Sequence, residues 1–192
     1  MSGEGFALET LTSADAALVP QLAEALAEAE SRSGLRSAAP ITIRAFRSTT
    51  AFRDATLAPG WVAAFTEGNW IATQPLAALG ARRLLVSVLR HEFLHALVEA
   101  HAAPGAPLWF REGLVEAWSE DANEGAGHGP QPALKLDELD GALARAASAA
   151  QSEDAHRAAG WYAQRLLDRY GRAQMLDWLH SGLPPAALAP VR

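Results

Sequence analysis

The sequence predicts an α+β protein: a small N-terminal sheet with helices, a long central helix and a mostly helical C-terminal lobe. Three observations lead there. Short β-like runs, alternating or rich in aromatic and β-branched residues, occur between residues 41 and 73. The segments on either side repeat apolar residues at the spacing of a helix face. Gly and Pro clusters at 59–60, 104–107 and 123–132 divide the chain into short elements.

Taken in order, Ser13 is an N-cap with Asp15 in the first turn. Leu18, Leu22, Ala25, Leu26 and Ala29 continue that helix, and Gly34 ends it. Pro40 opens a strand over 41–46. Ser48 or Thr49 caps a short helix through Leu57, closed by Pro59 and Gly60. The runs 61–66 and 70–73, separated by Glu67, Gly68 and Asn69, read as a hairpin. Pro75 and Gly80 lead into a long helix over 81–100, which Pro104 to Pro107 stop. A shorter helix covers 108–118, followed by a loop over 123–132 that serves as a lid or as plain surface. Helices over 136–149, 154–170 and 172–180 follow, punctuated by Gly171 and Gly182. Pro184, Pro185 and Pro190 suggest a loose tail. The expectation is one domain of 192 residues with lobes 1–101 and 102–192.

An apolar content of 49% suits a buried core, and no long uncharged apolar window suggests a membrane span. The net charge of −6 argues against nucleic acid and anionic membranes as partners. The start has neither a basic segment nor an apolar one after it, so a cytoplasmic location is expected unless a leader has been removed. With no cysteine, any transition-metal site must use His, Asp and Glu.

Such a site is suggested by His91-Glu92-Phe93-Leu94-His95, set in an apolar run. In a helix His91 and His95 lie one turn apart on one face, where two imidazoles share a zinc ion. Glu92 beside them is placed to act as general base. A catalytic zinc takes a third protein ligand, and the chain offers two. His101 completes the histidine spacing of the metzincin proteases, but Val98 stands where those proteases need a helix-breaking glycine. If the helix continues, His101 lies about 240° around the axis from His95 and points away.

The second is Glu112, in Trp109-Phe110-Arg111-Glu112-Gly113-Leu114-Val115-Glu116. Together with the histidine motif this segment resembles the gluzincin metallopeptidases, in particular the small bacterial peptidase MA-like domains. The likeness covers roughly residues 40–182, and its two central motifs are specific. It implies a zincin-like fold, a Zn2+ ion held by His91, His95 and Glu112, and hydrolysis of a peptide or protein substrate with Glu92 as general base. The segment with which aminopeptidases anchor a substrate amine is absent, so the implied activity is that of an endopeptidase. Arg111 and Trp118 depart from the residues usual in the larger enzymes. Related enzymes donate to the oxyanion from a Tyr or His of the C-terminal lobe. Tyr162 is the candidate here, with His156 and His128 as alternatives, and a core aromatic beside Trp161 as the competing reading of Tyr162. Glu116, one turn after Glu112, is either an acceptor for a ligand N–H or a solvated carboxylate. Gly113 permits a close helix approach, and the hairpin offers a strand edge to an extended peptide. The alternative function is a catalytically inactive binding or regulatory module on the same scaffold.

Overall fold

Strands β1 (Ser2–Gly3), β2 (Phe6–Glu9), β3 (Ile41–Ala45), β4 (Ala64–Glu67) and β5 (Trp70–Thr73) form one mixed sheet in the order β1-β2-β3-β5-β4. The structure, a computed structural model, describes residues 2–3, 5–9, 13–119 and 129–188. It is α+β and divides into two compact units, residues 1–100 and 101–192. The sheet belongs to the first unit.

Strands β2, β3 and β5 run parallel, whereas β1 and β4 are antiparallel edges. The register aligns Phe6 with Ile41, Leu8 with Ile43, Ile43 with Ile71, and Ile71 with Thr66. Side chains alternate along a strand, so these residues share one face. On that face α5 (Leu85–His101) seats Phe93 against Phe6, with ring centroids 6.2 Å apart. On the other face α3 (Thr49–Thr56) packs Phe52 against Phe46 and Phe65. There Arg44 also pairs with Glu9 at 2.8 Å. Strands β1 and β2 precede the first strand expected from the sequence. Phe6-Ala7-Leu8-Glu9 alternates over only four residues, too few to stand out.

The first helix divides into α1 (Ser13–Ala16) and α2 (Val19–Ser33), with Pro20 in the opening turn of the second. Gly34 caps α2 with φ 79°. The Ser48 hydroxyl accepts from the Ala51 N–H at 3.0 Å and starts α3 as expected. Strand β4 begins only at Ala64, so 61–63 lie outside the hairpin strands. The helix expected over 81–100 is α5, which begins only at Leu85, and the connection before it holds a further short helix, α4 (Leu76–Ala81), with a turn between them in which Arg83 takes φ 58°.

The second unit contains α6 (Leu108–Ser119), α7 (Leu139–Arg145), α8 (Ala149–Ser181) and a 3-10 turn, Pro185–Leu188. Helix α8 joins the last two expected helices across a kink at Gly171, φ 77° and ψ 163°. Asp140 of α7 accepts the Trp109 N–H at 2.7 Å, anchoring the start of α6. Among the described residues no helix is long and apolar enough to cross a membrane. Most of the loop read over 123–132, with His128, lies outside the described residues.

Candidate metal site

Helix α5 buries Leu85, Leu89, Phe93, Leu94, Ala96 and Leu97, which fixes its rotation against the sheet. His91 and His95 then fall on a half-buried flank. Their Nε2 atoms are 3.1 Å apart, and the rings meet edge to face with centroids 4.7 Å apart. That spacing suits two chemistries. One ring can donate an N–H to the other, or both lone pairs can turn to a common ion.

Glu92, 7% exposed, reaches back to the sheet. The Thr66 hydroxyl of β4 lies 2.7 Å from its carboxylate oxygen Oε2 and 3.0 Å from its backbone carbonyl. A hydroxyl partner offsets much of the cost of burying a carboxyl group. Next to the motif, Arg90 reaches Glu28 at 2.5 Å and ties α5 to α2.

The second unit, taken by itself, holds a further group. Glu112 and Glu116 stand one turn apart on α6 and both face His156 of α8. Nε2 of His156 lies 3.5 Å from Glu112, and its Nδ1 lies 4.0 Å from Glu116. The ring thus stands between two carboxylates, with a nitrogen facing each. This contact places Glu116 beside Glu112 and His156 and not in open solvent. The intervening Gly113 lies against α8, so the close approach it permits is to Ala159 and Ala163.

Tyr162, expected as a donor to an oxyanion, is packed instead as a core aromatic. It is 2% exposed, its ring lies edge-on to Trp161, and its hydroxyl donates to the Leu134 carbonyl at 3.3 Å. A hydroxyl held by a backbone carbonyl in the core is poorly placed to donate to a substrate. Helix α5 runs unbroken past the buried Val98, and His101 at its end stacks edge-on against His180, centroids 5.4 Å apart. The second unit also has a cavity of about 860 Å³, lined by Pro130, Leu134, Arg145, Arg157 and Trp161 among others. His156, Glu112 and Glu116 are not among its lining residues.

Two residues of this geometry escape sequence reading in whole or in part. Thr66 carries no motif, and its contact with Glu92 spans 26 residues. His156 was expected only as an alternative oxyanion donor, whereas it sits between two carboxylates. Among the described residues no group of three or more His, Asp or Glu side chains is assembled to hold a metal ion. Compared with known proteins, the chain matches no family model, no curated protein and no solved structure.

Proposed function

We propose that this protein is a zinc-dependent endopeptidase of zincin-like fold. The observation that carries the reading is the pair of facing imidazole nitrogens, 3.1 Å apart, with the buried carboxyl group of Glu92 next in the helix. Two nitrogens bound to one tetrahedral zinc at about 2.0–2.1 Å stand about 3.3 Å apart, so His91 and His95 need little adjustment. The sequence likeness to the gluzincins adds Glu112 as third ligand. His156 gives that carboxylate a partner of the kind that orients metal ligands. Two imidazoles and a carboxylate are a donor set suited to catalytic zinc.

A zinc ion held there would supply Lewis acidity at a scissile carbonyl and bring the pKa of a water close to neutrality. The remaining work falls to the chain. Glu92 takes the proton of the attacking water and passes it to the leaving amine nitrogen. Strand β4, which among the described residues pairs only with β5, offers its outer backbone edge to an extended peptide.

The test is to purify the chain without chelator and measure zinc and peptide hydrolysis together. One zinc per chain is expected. Glu92→Gln should keep the metal and lose hydrolysis by about 10²–10⁴-fold. Unchanged hydrolysis in that variant overturns the mechanism. Zinc bound by a wild-type chain that cleaves no member of a broad peptide library would assign the protein to a binding or regulatory role.

A further inference from the structure

We infer that Thr66 is a positioning residue, which aims the Glu92 carboxylate and ties its direction to the strand edge where a peptide would pair. The inference rests on the peptidase reading above and adds a residue to it. Thr66 shares the sheet face of Ile71, Ile43 and Phe6, the face covered by α5. Its hydroxyl meets two acceptors of one residue, Oε2 of Glu92 at 2.7 Å and the Glu92 carbonyl at 3.0 Å. The single hydroxyl proton is within reach of both ends of the Glu92 side chain, the shorter contact being to the carboxyl group and the longer to the backbone from which it springs. A glutamate has several rotatable bonds, and the hydroxyl contact helps to select the rotamer in which the carboxylate meets the strand. The same residue contributes backbone to β4, an edge strand of the sheet among the described residues. A peptide strand paired along Phe65, Thr66 and Glu67 would therefore be registered against the residue that directs the base. Valine would fit this strand position as well as threonine does. The hydroxyl is what the site uses.

Thr66→Val keeps the β-branched shape and deletes that hydroxyl. In the zinc-loaded full chain, kcat on a quenched-fluorescent peptide should fall about 10–100-fold, as expected when a reacting group is misplaced. KM should stay within about twofold, because binding of the peptide itself is not altered. Thr66→Ser should restore most of kcat, and Thr66→Ala should repeat the loss if the valine variant folds poorly. A second readout needs no activity. In the zinc-free protein the carboxyl ¹³C resonance of Glu92 should move in Thr66→Val and stay in place in Thr66→Ser. An unchanged kcat in the valine variant, or a Glu92 resonance indifferent to the hydroxyl, overturns the inference. A wild-type chain that cleaves no peptide defeats the peptidase reading on its own, and the resonance comparison still decides whether Thr66 aims Glu92.

Discussion

His156 has two ring nitrogens and faces two carboxylates, Glu112 at 3.5 Å and Glu116 at 4.0 Å. Removing the ring takes one neighbour from between two like charges one turn apart on α6, a mildly unfavourable pair, and removes its contact with Glu112. If Glu112 binds zinc, His156→Ala should weaken zinc affinity about 10–100-fold, the usual effect of losing a group that orients a metal ligand. Competition against a chromophoric chelator measures this directly, and an unchanged affinity would remove His156 from the site. At this scale the sequence was readable only where partners lie on one helix. His91 and His95 are four residues apart, so helical geometry alone brings them together. Thr66 reaches Glu92 from another element, and no local pattern marks such a contact. Tyr162 is a candidate donor only through the resemblance to the gluzincins, and the sequence leaves it open as a core aromatic beside Trp161. Its burial against Trp161 and the pairing of its hydroxyl with Leu134 depend on tertiary packing.

Single residues set the element boundaries, and some are legible. Pro104 and Pro107 mark the gap between α5 and α6, Gly34 ends α2, and Gly171 marks the kink in α8. The break between α4 and α5 is not legible, because Arg82-Arg83-Leu84 contains neither glycine nor proline and Arg83 takes its left-handed backbone without a sequence signal. Gly113 shows how a glycine can serve packing instead of a turn. A Cβ at that position would lie 2.5 Å from the Ala159 carbonyl oxygen and 2.8 Å from the Ala163 Cβ. Intrinsic propensity favours alanine over glycine in a helix by about 1 kcal/mol. Overpacking works the other way, at about 1–3 kcal/mol. The nearest clash is with backbone, which cannot swing aside, so Gly113→Ala should destabilise the protein by up to about 2 kcal/mol net. Urea unfolding with an unchanged m value would register this as a lower midpoint. A stabilised variant would mean that α6 and α8 are not in such close contact.

For the whole chain, the α+β class is legible because the hydrophobic period changes along the sequence, from alternation in β3 to helical spacing from α4 onward. Parallel pairing of β2 with β3 is not legible, since it joins strands that are separated by two helices. The proposed zinc makes a prediction at this scale, because a ligand that binds only the folded chain stabilises all of it. With free zinc at about 100 times its dissociation constant the stabilisation is about 2.7 kcal/mol. For a chain of this size that corresponds to a rise in Tm of about 5–10 °C, readable by thermal shift on the metal-free protein. The chain has 6 histidines, and any weak zinc binding by them in the unfolded state would make the rise smaller. The variants separate the roles. His95→Ala should abolish the rise because it removes half of the imidazole pair. Glu92→Gln should keep it because a general base need not hold the metal. Glu112→Gln should reduce it sharply if Glu112 is the third ligand. Should Glu112→Gln keep the full rise while His95→Ala loses it, the imidazole pair stands and the gluzincin assignment of the third ligand falls.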